Sequence, residues 1–168
     1  GMVLRPWPEA FAVTGTDWAT RGARMDEMIE IIRGLSSGDY FAYRGAHYTI
    51  PSIKQTPAPT RPIPFLIGGH AEPALRRAAR LGDGWMHAGG DAETLTRLLG
   101  RLRSLRQEYG REREPFVVHA ISLDAYTPDG IRRLEDLGVT DVIVGFRNVY
   151  EKDVQTLQQK LDALRGYA

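Results

Sequence analysis

Apolar positions recur every three to four residues in several stretches of the chain, and short apolar runs alternate with those stretches. From Thr20 to Leu35 this spacing predicts an amphipathic helix, which Ser36-Ser37-Gly38 is expected to end. Residues 40–50 alternate aromatic and polar side chains around Arg44-Gly45, which predicts a small two-stranded excursion. The helix is expected to bury Met25, Met28, Ile29, Ile32 and Leu35.

The central stretch, from Arg61 to His87, predicts one strand–helix–strand unit. Its first apolar run lacks alternation, as expected of a parallel strand that is covered on both faces. The pair Gly68-Gly69 allows a sharp turn, because neither residue carries a Cβ. The predicted elements are a strand at Ile63–Ile67, the glycine turn, a helix with Pro73 in its first turn and Gly82 at its end, and a strand at Trp85–Ala88.

The remainder of the chain repeats this alternation of strand and helix. Asp91, Thr127 and Asn148 each stand where a helix N-cap is expected. The predicted strands are Phe116–Leu123 and Asp141–Phe146. The side chains expected to face inward are Leu95, Leu98, Leu99, Leu102 and Leu105 of the first helix, Ile131, Leu134 and Leu137 of the second, and Val154, Leu157, Leu161 and Leu164 of the closing helix.

Strands that alternate with helices predict an α/β protein with a parallel sheet. A doubly wound open sheet and a piece of a (β/α)8 barrel both satisfy this pattern. No Gly-x-Gly-x-x-Gly motif opens a helix, so a dinucleotide-binding sheet lacks its main fingerprint. Four strand–helix units make half a barrel, since a complete barrel takes about 250 residues. The proline-rich connection at residues 51–62 is expected to wrap around the domain rather than to act as a lid.

Composition excludes several classes of function. The formal net charge is +1, and the arginines are interleaved with glutamates, so nucleic-acid binding is not expected. No cysteine is present, and the spacing of the four histidines matches no metal motif, so no metal site is predicted. No apolar run approaches the roughly 20 residues that a membrane span needs, and no secretory signal is visible. A soluble, cytoplasmic protein is the expectation.

Four stretches together resemble the luciferase-like monooxygenase family: RGARMDE from Arg21, the aromatic segment at residues 40–48, PIPFLIGGH from Pro62, and ARLGDGW ending at Trp85. That family includes bacterial luciferase, alkanesulfonate monooxygenases and deazaflavin-dependent oxidoreductases. The resemblance runs from about Trp7 to Leu164. It implies a single domain, residues 1–168, that corresponds to the fifth to eighth strands of a (β/α)8 barrel. The family's first four strands have no counterpart in this sequence.

The resemblance implies an FMN or deazaflavin cofactor, held where the parallel strands end. The backbone N–H groups after Gly68 and Gly69 stand before a helix and suit a phosphate. His70 and His87 end adjacent predicted strands, whereas His119 lies mid-strand as a barrel-interior group. No catalytic residue is predicted, since in flavin enzymes the cofactor carries out the redox chemistry. The predicted cofactor contacts are Gly68, Gly69, His70, His87 and Arg147, the last as a bidentate phosphate partner.

Three functions remain open from the sequence. The first is a flavin- or deazaflavin-dependent oxidoreductase or monooxygenase. The second is a non-catalytic half-barrel that forms homo-oligomers, with a dimer as the expected state. The third is a subunit that complements a separate N-terminal half. Half a barrel has two strand edges with unpaired backbone groups, so we expect a second copy, a complementary half or the N-terminal segment to cover them.

Overall fold

One parallel and one antiparallel sheet organise the protein in this computed structural model, which describes residues 1–4, 7–145 and 156–167. In chain order the elements are α1 (Pro8–Ala12), α2 (Arg21–Leu35), β1 (Phe41–Arg44), β2 (Thr49–Ile53), β3 (Leu66–Gly68), α3 (Glu72–Leu81), β4 (Gly84–His87), α4 (Ala92–Glu108), β5 (Val117–Ala120), a 3-10 turn (Leu123–Tyr126), α5 (Pro128–Asp136), β6 (Asp141–Val142) and α6 (Leu157–Tyr167).

The parallel sheet has the order β3-β4-β5-β6, so that each strand lies beside the next one in the chain. Helices α3, α4 and α5 connect successive strands. Sequential parallel strands joined by helices are the arrangement of a (β/α)8 barrel cut in half. The predicted α/β fold, with an N-terminal helix and a small β excursion, is therefore confirmed.

The two faces of the parallel sheet have different surroundings. Neighbouring strands pair in register, so residues opposite each other point to the same side. We call one side the covered face: it carries Ile67, Trp85, Val118 and Ala120, which are buried in a common core with α3 and α4. We call the other side the open face: it carries Gly68, Met86, His119 and Asp141, none of which is fully buried.

The predicted inward face of α4 is confirmed in full, since all five of its leucines are buried. Two predicted N-caps are confirmed as well. The Asp91 side chain accepts a hydrogen bond from the Thr94 N–H at 2.6 Å, and the Thr127 hydroxyl accepts one from the Gly130 N–H at 3.1 Å. The prediction for α2 is confirmed for Met25 and Ile29, which are buried, whereas Met28 and Leu35 are half-buried. Ile32 is exposed, and Ile31 is buried instead.

The observed strands are shorter than the strands that were predicted from the apolar runs. The predicted strand at Ile63–Ile67 narrows to β3, because Ile63 is exposed and Pro64 offers no N–H. The predicted strand at Phe116–Leu123 stops at Ala120, since Ser122 caps the 3-10 turn by accepting from the Asp124 N–H. Of the strand predicted at Asp141–Phe146, the structure assigns β6 to two residues, and Phe146 lies outside the described residues.

The closing helix α6 does not bury its leucines as predicted. Leu157 is 73% exposed and Leu164 is 53% exposed. Helix α6 contacts the rest of the domain at Tyr167. The Tyr167 hydroxyl donates to the Ala125 carbonyl at 2.9 Å, and its ring packs edge-on against Tyr126. The predicted cap Asn148 and the predicted core residue Val154 lie outside the described residues.

The N-terminal residues cover part of one edge of the parallel sheet. The Met2 N–H donates to the Leu66 carbonyl, and the Met2 carbonyl accepts from the Gly68 N–H, both at 2.7 Å. Met2 therefore extends the sheet as a parallel bridge beside β3. This is one of the predicted ways of covering an edge. Over the part of the chain that the structure describes, no strand pairs with the outer edge of β6.

The β1–β2 hairpin is fastened to α2 by one carboxylate. Glu27 accepts hydrogen bonds from the backbone N–H groups of Ala46, His47 and Tyr48, at 2.8 to 3.1 Å. The proline-rich connection follows the hairpin and reaches Ser36 and Asp83, at the amino ends of the parallel strands. Within the described ranges, no helix is long and apolar enough to cross a membrane.

Candidate functional site

A cavity of about 410 Å³ opens beside the carboxyl end of β3. It lies between the first residues of the chain, the start of α2 and the turn from β3 into α3. Gly69 makes that turn with a φ of +123°, a conformation that side chains disfavour. A Cβ at Gly69 would also lie 2.8 Å from the Ala74 Cβ, so glycine is needed here for both backbone and space.

Backbone donors at this turn suit an anion. The N–H groups of His70 and Ala71 have no hydrogen-bond acceptor among the described residues. They precede the ten-residue helix α3, whose N-terminal end carries a partial positive charge. Free N–H groups at a helix start are a common way to hold phosphate or carboxylate.

Arg21 adds a full positive charge to the same cavity. Its guanidinium lies 3.5 Å from the centre of the Trp18 ring, and its Nη1 donates to the Trp18 carbonyl at 2.9 Å. No carboxylate of a described residue forms an ion pair with it. Arg21 was not among the cofactor contacts predicted from the sequence, because the position of the cavity could not be derived from the sequence.

Arg77, which lines the same cavity, is already neutralised. It is 7% exposed, pairs with Asp26 through its Nε and donates from Nη2 to the Gly22 carbonyl at 3.0 Å. Arg21 is therefore the arginine of this wall whose charge remains available. We call the N–H groups of His70 and Ala71, which follow Gly69, together with the Arg21 guanidinium the Gly69 cradle.

Three rings stack behind the cradle. The His70 and His87 rings are nearly parallel, with centres 4.8 Å apart, and Trp85 lies 5.5 Å from His87. The Trp85 Nε1–H donates to the Gly69 carbonyl at 2.9 Å, which fixes the turn from the covered face. The Ala88 N–H donates to His70 Nε2 at 3.3 Å, so the neutral His70 ring carries its proton on Nδ1.

Both histidines favour the neutral form. Burial lowers the pKa of His70, and the charge of Arg97 lowers it further. Burial is also the main cause that lowers the pKa of His87; the nearby His70 adds to this, while a hydrogen bond with the Ile121 carbonyl opposes it. A stack of two imidazoles tolerates little positive charge, because protonating one ring disfavours protonating the other.

The structure brings together some of the predicted cofactor contacts. Gly68, Gly69 and His70 line the cavity. His87 lies next to His70 but is only 1% exposed, because its place opposite Ala120 puts it on the covered face. Its Nδ1 lies 3.2 Å from the Ile121 carbonyl, and its Nε2 has no partner among the described residues. Arg147 lies outside the described residues, so its predicted role stays a prediction.

His119 is on the open face rather than in a packed core. Its Nε2 lies 3.3 Å from Asp141 Oδ2, and its side chain is 31% exposed. No group of three or more potential metal ligands occurs in the part of the chain that the structure describes.

Comparison with known proteins places the chain in a family. Residues 5–153 match the model of the luciferase-like monooxygenase family, and the chain belongs to that family. A four-stranded parallel sheet that alternates with helices is accordingly part of a luciferase-like barrel.

Three similar proteins describe the range of the family. An uncharacterized protein of Mycobacterium tuberculosis is 55% identical over the whole of this chain, which covers 58% of that protein. An F420-dependent glucose-6-phosphate dehydrogenase of Microbacterium testaceum is 30% identical over 77% of this chain and 37% of the dehydrogenase. A solved F420-dependent secondary alcohol dehydrogenase, in complex with an F420-acetone adduct, superposes with a TM-score of 0.56 at 17% identity, over 62% of this chain and 32% of that one.

The chain therefore spans a little over half the length of the mycobacterial protein and about a third of the two dehydrogenases. The family has relatives that depend on F420, a deazaflavin.

Proposed function

We propose that this chain is the cofactor-binding half of a deazaflavin-dependent oxidoreductase, and that the Gly69 cradle holds a phosphate of the cofactor. The observation that carries the proposal is a set of donors around one cavity. The N–H groups of His70 and Ala71 lack an acceptor among the described residues, and the Arg21 guanidinium lacks a carboxylate partner among them. Donors without acceptors beside a cavity are costly unless a ligand satisfies them.

The residues present fit a phosphate-bearing cofactor. Gly69 leaves room for a close approach to the backbone, since it carries no Cβ. Arg21 supplies a planar, permanently charged partner that can bind a phosphate with two hydrogen bonds. His70 adds an Nδ1–H donor at the wall of the same cavity. Bound F420 would supply hydride transfer, while these residues bind and orient it.

Dehydrogenation of an alcohol is the reaction we propose, with F420 rather than FMN. The support is the pair of relatives that are F420-dependent dehydrogenases, one of them acting on secondary alcohols. The family description, luciferase-like monooxygenase, leaves a flavin-dependent oxygenation as the alternative for the same cavity.

The experiment is a fluorescence titration of the purified chain with F420, FMN and inorganic phosphate. We expect saturable F420 binding that phosphate weakens by competition, with FMN binding less tightly. G69V should abolish binding, since the side chain meets both a disfavoured φ and the Ala74 Cβ. R21Q should weaken binding by about 10-fold or more, as removal of a charged hydrogen-bond partner costs about 1.5–3 kcal/mol.

Two matched controls separate binding from folding. G100A places a Cβ in open space within α4, and R132Q removes a charge from an exposed ion pair with Asp129. Both variants should bind F420 like the unmodified chain. Equal loss of binding in G100A and G69V, or no F420 binding by the unmodified chain, would refute the proposal.

A second candidate function is an assembly module, because apolar side chains remain exposed at the open end of the sheet. Ile121 and Ile143 lie 43% and 38% exposed, and the leucines of α6 are exposed as well. Exposed apolar groups of this kind favour association, either as a homodimer or with a separately encoded N-terminal half. Sedimentation velocity of the chain should then give a dimer that L157S and L164S weaken; a monomer at all concentrations would exclude the homodimer.

A further inference from the structure

A second glycine turn lies beside the cradle, between the end of β4 and the start of α4. It consists of Ala88, Gly89 and Gly90, and we call it the Gly89 turn. Its two glycines have φ values of +98° and +136°, which side chains disfavour. Among the described residues the turn makes one hydrogen bond, in which the Ala88 N–H donates to His70 Nε2 at 3.3 Å. The Gly89 turn is therefore held by a side chain that follows the first glycine turn.

This hydrogen bond requires a neutral His70 ring. A backbone N–H can only donate, so Nε2 must keep its lone pair while the ring proton sits on Nδ1. Uptake of a second proton places an N–H group at Nε2, opposite the Ala88 N–H, and the hydrogen bond is lost. The acceptor that holds the Gly89 turn is thus a titratable group.

The neighbouring His87 ring is the less favourable place for a proton. Its Nδ1 lies 3.2 Å from the Ile121 carbonyl, which can only accept, so Nδ1 already carries a proton. His87 is 1% exposed, whereas His70 is half-buried and lines the cavity. Because a charge is less costly where water reaches it, His70 takes up the first proton and its charge then disfavours a proton on His87.

The cations around His70 oppose its protonation at neutral pH. Burial lowers the pKa of His70, and Arg97 of α4 lowers it further. Arg21 of α2 lines the same cavity and adds a second positive charge. Arg77 of α3 also lines it, but its charge is neutralised by Asp26.

The carboxylates at the starts of the two adjacent helices already have partners. Glu72 of α3 forms an ion pair with Arg101, and the Asp91 side chain accepts from the Thr94 N–H at the start of α4. No carboxylate of a described residue forms an ion pair with His70. The ring is therefore neutral at pH 7 and becomes charged in acid.

We propose that His70 is a pH-sensitive latch between the two glycine turns: its neutral ring holds the Gly89 turn at Ala88, and proton uptake at Nε2 releases that turn. Since the pKa of His70 is lowered, the latch is closed at neutral pH and opens as the pH falls through a value below about 6.5. His70 also lines the cavity, so its release changes one wall of the proposed cofactor site. The latch is a property of the unliganded chain and does not depend on F420.

The first test follows the labelled, unliganded chain by NMR between pH 8 and pH 5. We expect the His70 ring and the Ala88 amide to titrate with one common midpoint below about 6.5. Protection of the Ala88 amide against hydrogen exchange should fall by about 3- to 10-fold on the acid side, as for the loss of one hydrogen bond.

The Thr94 amide is the matched control in the same experiment. Its hydrogen bond to Asp91 lowers the pKa of that carboxyl, so this acceptor stays charged over the whole range. Thr94 should therefore keep its protection. A His70 ring that titrates while Ala88 stays unchanged, or an equal loss of protection at Thr94 and Ala88, would overturn the proposal.

The second test compares H70Q with H70F. Glutamine keeps an acceptor that does not titrate, so in H70Q the Ala88 amide should stay protected down to pH 5. Phenylalanine keeps a flat ring without an acceptor, so in H70F the Ala88 amide should be unprotected at every pH. The amides of Leu98 and Val118, which are buried in the core, report folding. An Ala88 amide that titrates in H70F as it does in the unmodified chain, or core signals lost before Ala88 changes, would overturn the proposal.

Discussion

The two faces of the parallel sheet differ in how deeply their side chains are buried. On the covered face, Ile67, Trp85, Val118 and Ala120 pack against α3 and α4 and are all less than a tenth exposed. On the open face, His119 and Asp141 form a row with Gly68 and Met86, and their side chains remain 31% and 53% exposed. Adjacent residues along one strand thus alternate between buried positions on the covered face and partly exposed positions on the open face.

The comparison also shows that the covered face supports the site. Trp85 is fully buried, yet its indole N–H holds the Gly69 carbonyl. His87 is buried on the same side and stacks on His70, which lines the cavity. A site on one side of this sheet therefore depends on residues that never reach the ligand.

The largest effect should come from the covered face. L98A removes a leucine that is 1% exposed and should lower the free energy of unfolding by about 3–5 kcal/mol. I121A removes a side chain of similar size from the open face and should cost about 1 kcal/mol or less. Urea unfolding of both variants measures the difference. Equal losses would contradict the division between the faces.

A smaller effect is expected where the covered face supports the cradle. W85F keeps a large aromatic ring but leaves the Gly69 carbonyl without its donor, which should cost about 1–3 kcal/mol. F420 binding should weaken as well, because the turn loses its anchor. Unchanged F420 affinity in a folded W85F protein would show that the turn holds its shape without the indole. The Gly100 variant G100A remains the control for folding.

The smallest effect should be a dependence of stability on pH. Burial lowers the pKa of His70 and of His87, so between that lowered pKa and about 6.5 the unfolded chain binds more protons than the folded one. Stability should therefore rise with pH up to about 6.5 and then level off. Thermal unfolding between pH 5 and 8 measures this. The H87F variant should flatten the slope, and a slope unchanged in H87F would contradict the prediction.

The helices could be predicted from the sequence because they follow from local rules, whereas the order of the strands was implied by the family resemblance. The leucine spacing of α4 and the caps Asp91 and Thr127 specify their helices within a few residues. Strand ends were harder to predict, since Ile63 and Leu123 are apolar but exposed. Apolar character alone does not say where a ladder stops.

The site could be predicted only in part, because some of its residues are brought together by tertiary packing rather than by local sequence. Gly68, Gly69 and His70 are contiguous, so one turn brings them together. Arg21 joins them from a position 47 residues before Gly68, through the packing of α2 against α3. The pairing of His119 with Asp141 depends on strand register, which no local pattern fixes.

The most direct test of the account is a map of backbone amide shifts as F420 is titrated into the labelled chain. The account predicts the largest changes at Gly69, His70 and Ala71, with a change in the Arg21 side chain and little change at Phe65 and Asp83. Those last two residues lie beside a different cavity, of about 560 Å³, at the amino ends of the strands. Shifts centred on Phe65 and Asp83, with residues 69–71 unchanged, would contradict it.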